Sequence, residues 1–228
     1  MTLTLYSHPL ASFCHKVLIA LYENGTPFRN VVVDLGDRKA SAEFFALWTL
    51  GKIPVLRDDR RGQTVPETSI IIEYIEQHYA GQQALLPSDE AARLDVRLWD
   101  RIFDLYVQEP MQAIVADRRR SEGEKDPLAA AQAQATLRSA YELLEERLSG
   151  RTWIAADAFS MADCAAVPAL FYAGIVAPFA DDHPNLAAYF DRLVARASVQ
   201  RTLAEARPYF ALFPFKADIP ARFLVDPA

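Results

Sequence analysis

The 228-residue chain is 51% hydrophobic and 24% charged, the balance of an ordinary globular protein, and its length favours two modest cores over one. A formal net charge of -6 argues against a general binder of the nucleic-acid backbone. No apolar stretch is long enough to cross a bilayer, and Cys14 and Cys164 stand too far apart to suggest a disulfide framework or a zinc site, which fits a reducing cytoplasm.

The first six residues alternate polar with apolar side chains and lack a basic lead, so they predict a strand at 3–6 and not an export signal. From Ser12 onward Phe13, Val17, Leu18, Leu21 and Tyr22 recur at helical spacing until Asn24-Gly25, where glycine takes a left-handed cap. Residues 28–33 are β-rich and 41–47 form a short second helix. Residues 53–56 and 63–65 flank a charged turn and predict a hairpin, with Pro54 opening its first strand. Pro66-Glu67-Thr68-Ser69 starts a third helix, with Ile70, Ile71, Tyr74 and Ile75 facing inward. Such alternation marks an α/β domain over residues 1–80.

Residues 81–88 lack periodicity and form a linker, and residues 89–228 are expected to be all-helical. A long amphipathic pattern over 89–120 carries Leu94, Leu98, Ile102 and Leu105 as its stripe, with a bend at Pro110. The run Arg118-Arg119-Arg120, flanked by acidic residues, is a solvated helix end. A second long helix covers 128–148 and packs antiparallel to the first. Ser160 with Asp163 makes a capping box ahead of an apolar helix. The aromatic tail, with Tyr209, Phe210, Phe213, Phe215 and Phe223, is expected to pack on the helical domain.

The most specific pairing is Gly51-Lys52-Ile53-Pro54-Val55-Leu56 followed by Glu67-Thr68-Ser69 at a helix start. A cis bond is cheap only before proline, and the backbone edge there admits an extended peptide, while a helix N-terminus receives a carboxylate. These residues resemble the Gly-(Lys/Gln)-(Val/Ile)-Pro-x-Leu and Glu-Ser motifs of cytosolic glutathione transferases, and the similarity runs from Tyr6 to about Leu203. In the second half it is carried by the capping box and by the helix after His183.

The resemblance implies a thioredoxin-like N-terminal domain and an all-α C-terminal domain, with glutathione as co-substrate. It also implies a small, partly apolar electrophile as second substrate, and a cytoplasmic homodimer in which the thioredoxin-like domain of one subunit packs on the helical domain of the other. By the same resemblance Pro54 is cis and Ile53 offers its backbone to the cysteinyl part of glutathione. Glu67 and the Thr68 hydroxyl, standing for the usual Ser, hold the γ-glutamyl end. Lys52 or Lys39 meets the glycyl carboxylate, though Lys39 serves equally well as a surface charge.

Related classes place a Ser or Cys at the position that is Ala11 here, so thiol activation has to come from elsewhere. Two readings stand for Ser12: a hydroxyl donor that lowers the thiol pKa, or the N-cap of the first helix. Cys14 shares a stripe with Val17, Leu18 and Leu21, and is either a buried core thiol or the nucleophile of glutathione thiol-disulfide chemistry. His8 and His15 stand close enough to tune the site. Tyr106, Met111 and Tyr172 are candidates for the acceptor pocket, and Ala11 also leaves open a noncatalytic module that contacts a protein partner.

Overall fold

The computed structural model describes residues 2–34 and 36–225, with the side chains of residues 38–40 outside that description. A four-stranded sheet has the order β2-β1-β3-β4. β1 (Leu3–Ser7) lies parallel to β2 (Arg29–Val32) and antiparallel to β3 (Val55–Asp58), which pairs antiparallel with β4 (Gln63–Pro66). The parallel pair requires a crossover, which α1 (Ser12–Asn24) supplies, whereas β3 and β4 need only a tight turn. α2 (Arg38–Leu47) and α3 (Thr68–His78) complete a thioredoxin-like unit. Gly51, at φ 65°, leads into β3, and a Cβ there would fall 2.2 Å from the Phe45 ring, so only glycine fits.

α1 is buried on more sides than its apolar stripe implies. Val17, Leu18 and Leu21 pack with Leu3, Leu5 and Leu56 of the sheet. On its other side Ile19 and Ala20 join the core of the helical half. α3 is turned relative to expectation: Ile71, Ile72 and Ile75 are buried, while Ile70 is 55% exposed. The expected linker is tied down, since Leu85 and Leu86 are buried, Leu85 N–H donates to Glu76 and its carbonyl accepts from Met161.

The helical half begins with α4 (Glu90–Ile102), continues through a π-helical turn (Phe103–Gln108) and proceeds into α5 (Glu109–Arg119). Pro110 has no N–H, and in a regular helix its ring presses on the carbonyl four residues back, at Tyr106; the widened turn before it takes up that conflict. The bend expected at Pro110 thus takes the form of a π turn. The stripe is also displaced: Leu94 and Leu98 are 67% and 54% exposed, and the buried face is Val96, Trp99, Phe103, Val107 and Met111. Both sets recur at helical spacing, and only one can meet α7.

α6 (Pro127–Leu148), α7 (Met161–Val176), α8 (Pro184–Val194) and α9 (Ala197–Ala206) complete the bundle around α7, which is buried along nearly its whole length. Ser160 and Asp163 form the expected capping box, and Asp163 also accepts from the Tyr189 hydroxyl at 2.6 Å. Burial raises the Asp163 carboxyl above the usual carboxylate range. The tail packs as expected: Phe210, Phe213 and Phe223 are buried, and Phe171 meets the rings of Phe210 and Phe223.

One charge lies deep between the two halves. Lys16 on α1, 1% exposed, pairs with Asp100 at 2.7 Å and Asp104 at 2.8 Å and donates to Ser69 Oγ at 3.0 Å. Ser69 in turn donates to Asp100 at 2.5 Å, and Arg101 reaches Asp104 at 3.1 Å. Burial raises the Asp104 carboxyl, against the pull of Lys16. Replacing Lys16 with Met strands two buried carboxylates and should cost about 3–5 kcal/mol of stability. Urea unfolding of Lys16→Met checks this; a loss under about 1 kcal/mol, typical of an exposed pair, would mean that solvent reaches the cluster.

Candidate functional site

Two cavities meet at the N-terminus of α1 and share Ala11 and Gln112. The first, of about 450 Å³, is walled by the Gly51-Lys52-Ile53-Pro54 loop and by Pro66, Glu67 and Thr68 where β4 passes into α3. Arg101, Asp104 and Glu109 of the helical half close its far side. The second, of about 370 Å³, is mostly apolar, with Leu10, Met111, Val115, Tyr172 and Phe213 among its walls and Ser12 and Arg119 as polar members. Phe213 brings the tail to this cavity, so the tail packs and lines at once.

The Ile53–Pro54 peptide is cis. Glu67, the residue before α3, has φ 65° and ψ 121°, a left-handed backbone that costs a non-glycine residue free energy. Its side chain is exposed and makes no capping bond, so the first N–H groups of α3 stay open beside Thr68, itself 8% exposed on the cavity wall. Lys52 lines the same cavity and is exposed. The side chain of Lys39 lies outside the described residues.

Ala11, not Ser12, is the N-cap of α1, and its carbonyl accepts from Cys14 N–H at 2.8 Å and His15 N–H at 3.2 Å. Ser12 is the first helical residue, which corrects its reading as a cap. Its Oγ instead accepts from Nε2 of Gln108, and from Nε2 of Gln112 at 3.3 Å. Cys14 is fully buried and lines neither cavity; burial pushes its thiol up to about 12, so it stays protonated. That geometry speaks against Cys14 as a nucleophile, because a mixed disulfide needs a thiolate within reach.

The histidines shape the loop between β1 and α1. His15 Nε2 lies 2.5 Å from the Pro9 carbonyl, and the ring leans on Tyr172, whose hydroxyl donates to the Leu10 carbonyl at 3.1 Å. Burial pulls His15 down to about 4, so the ring is neutral near pH 7 and gives its one proton to Pro9. His8 Nδ1 accepts from Leu10 N–H at 3.1 Å, and burial lowers its pKa.

Of the three residues expected around an acceptor, Met111 and Tyr172 line the second cavity, whereas Tyr106 is 53% exposed and lines a separate cleft with Leu98 and Leu143. Gln108, Gln112, Arg119, Arg101, Asp104 and Glu109 complete the surroundings of the two cavities, yet in the sequence they are ordinary polar positions on a long helix. The one available signal was Pro110, which marks an irregular turn, and such turns gather at functional sites.

The N-terminal domain model of glutathione S-transferases matches residues 5–83, and the C-terminal domain model matches residues 102–197. A glutathione S-transferase-like protein, LUC7, of a Fusarium species is 30% identical over 174 residues, covering 74% of this chain and 76% of its own. Glutathione S-transferase GstB of Escherichia coli K12 is 25% identical over 204 residues, or 88% and 97% of the two chains. The crystal structure of a glutathione S-transferase from Methylobacillus flagellatus, with glutathione bound, aligns at TM-score 0.80 and 27% identity over 88% of this chain and 98% of that one.

The neutral, buried His15 sets a pH dependence. Its folded pKa of about 4 lies below the ordinary 6.5, so the unfolded chain takes up a proton across that window that the folded chain refuses. Stability should be level with pH above the window and should fall by about 3 kcal/mol as pH drops through it, at 1.36 kcal/mol per unit. Gln in place of His15 keeps a donor near Nε2 and does not titrate. Urea unfolding at neutral pH and near pH 4 should show a smaller drop in His15→Gln; an equal drop would assign the acid sensitivity to other groups.

Proposed function

This chain belongs to the glutathione S-transferase family, and we propose that it transfers the thiolate sulfur of glutathione to a small, partly apolar electrophile. The observation that carries this reading is the meeting of a polar and an apolar cavity at the start of α1. Glutathione lies extended in the polar cavity against the Ile53 backbone, before Pro54. Its γ-glutamyl carboxylate meets the N–H groups and the Thr68 hydroxyl at the start of α3, while Glu67 pairs with the ammonium and Lys52 with the glycyl carboxylate. The glutathione bound in the Methylobacillus relative supports the same ligand here.

In this placement the cysteinyl sulfur falls beside Ala11, where the apolar cavity opens. Its proton goes to solvent, and the thiolate is held by the first N–H groups of α1 and the positive end of that helix. Sulfur then forms its bond to the electrophilic carbon as the leaving group departs with the bonding pair. Ser12 Oγ accepts two amide N–H bonds, which leaves its own proton to donate to sulfur. The rival for that proton is Gln108 Oε1, buried and otherwise without a partner among the described residues.

A protonated, buried Cys14 places thiol-disulfide exchange behind conjugation. A second reading, a noncatalytic module that contacts a protein partner, rests on Ala11, which offers sulfur no side-chain donor. Clearance of small electrophiles in the cytoplasm belongs to the first reading, and the two free cysteines suit that compartment. We place a homodimer on the face where Leu94 and Leu98 of α4 lie exposed, beside α3 with its exposed Ile70; the Glu73–Arg97 ion pair joins the two helices.

Thr68→Ala should weaken glutathione binding by about 1–2 kcal/mol in calorimetry, the size of a lost hydrogen bond to a charged group. Unchanged affinity would remove Thr68 from the site. Ser12→Ala should raise the pKa of bound glutathione, read from thiolate absorbance, and slow turnover of an aryl halide with little change in affinity. A lowered melting temperature with an unshifted pKa would make Ser12 a structural partner of the glutamines. Sedimentation should find Leu98→Glu monomeric at concentrations where the parent is a dimer; a parent that sediments as a monomer ends that assignment.

A further inference from the structure

Within the apolar cavity one residue does not match its surroundings. Arg119 is the single charged side chain among the described residues that line it. It stands two helical turns beyond Gln112 on α5, with Val115 and Ala116 between them on the same wall, so at 1.5 Å per residue the two lie about 10 Å apart along the axis. Gln112 marks the junction with the polar cavity and Arg119 the outer end. The space between is walled by Met111, Tyr172 and Phe213.

The other two arginines of the run are engaged. Arg120 pairs with Asp117 at 3.3 Å, and Arg118 lies over the Phe215 ring at 5.7 Å. Arg119 has no ion pair or hydrogen bond among the described residues. A cation in the last turn of a helix eases the macrodipole wherever its side chain points, so that role does not require Arg119 to enter the cavity wall. An arginine that lines an apolar slot and has no ion pair or hydrogen bond among the described residues matches a planar anion.

Resting on the transferase reading above, we propose that the acceptor is an aromatic electrophile bearing a carboxylate on the side of the ring away from the reacting carbon, and that Arg119 binds this carboxylate. The ring lies between Met111, Val115, Tyr172 and Phe213. Sulfur bonds to the carbon that bears the leaving group, and the leaving group departs as an anion with the bonding pair. The carboxylate takes no part in bond making, so Arg119 holds ground state and transition state alike and acts chiefly on KM.

The test uses para-chloro-meta-nitrobenzoate and its primary amide as paired acceptors, with chloride leaving in both. kcat/KM is measured for the parent protein, Arg119→Gln and Arg120→Gln, so that the intrinsic reactivity of each acceptor cancels in the comparison. Arg119→Gln should reduce the acid-over-amide preference roughly tenfold, mainly through KM, as for one charge-assisted bond at a partly screened site. The Kd of glutathione should stay fixed, and Arg120→Gln should keep the parent preference. An unchanged preference in Arg119→Gln, or an equal loss in Arg120→Gln, overturns the proposal.

The glutathione conjugates of the two acceptors are also titrated calorimetrically, which needs no turnover. If glutathione binds and the carboxyl conjugate has no Arg119-dependent advantage over the amide conjugate, this inference fails alone. If neither glutathione nor its conjugates bind, the transferase reading fails with it.

Discussion

The Lys16 ammonium, 1% exposed between the sheet unit and the helices, is tolerable only if anions and hydrogen-bond acceptors surround it. It finds Ser69 on α3, Asp100 on α4 and Asp104 in the π turn, so three elements from both halves are fixed around one atom. Dispersion and apolar burial between α1 and α7 supply attraction but little register, because such contacts are non-directional. The ion cluster adds direction. Ser69 follows Thr68, and Asp104 lies on the wall of the polar cavity, so the bonds that join the halves also set the opening between them.

The π turn extends the same logic toward the second cavity. Pro110 forces the helix to widen, and in the widened turn Asp104 and Gln108 both point inward, at 4% and 2% exposure. Asp104 reaches Lys16, while Gln108 reaches Ser12. One irregular turn therefore serves both the packing of the halves and the first residue of α1. Downstream, Gln112 and Arg119 fall on the cavity wall because α5 resumes a regular period after that turn.

Legibility in the sequence followed how local each signal was. Gly51 to Leu56, Glu67-Thr68 and the Ser160–Asp163 box are short-range motifs whose backbone demands are met within a few residues, and the structure carries each in its expected form. Ser12 was ambiguous because serine suits an N-cap and a first-turn position alike; its true partners, Gln108 and Gln112, lie far away in sequence. The long helix offered two apolar stripes at the same spacing, and only tertiary packing selects Val96 and Trp99 over Leu94 and Leu98. Tyr106 falls outside the acceptor cavity because it lies within the π turn, where the regular helical period is broken.

What remains is why a protein of this design leaves the starts of α1 and α3 open. α4 and α6 close theirs with Asp89 and Asp126, each accepting a backbone N–H, and α7 uses Ser160. α8 is closed from a neighbouring helix by Glu145, which accepts from the N–H groups of Asn185 and Leu186. α1, α3 and α9 have no side-chain cap and no acidic residue in their first turns, although a cap is worth about 1 kcal/mol. Of these, the open ends of α1 and α3 face the polar cavity, through Ala11 and Phe13 for α1 and through Thr68 for α3. An Asp or Asn at position 11 would satisfy the α1 amides internally and, if ionised, would repel an incoming thiolate. Alanine keeps those donors vacant, so the stability forgone at two helix starts is recovered only when an anionic ligand supplies the missing acceptors.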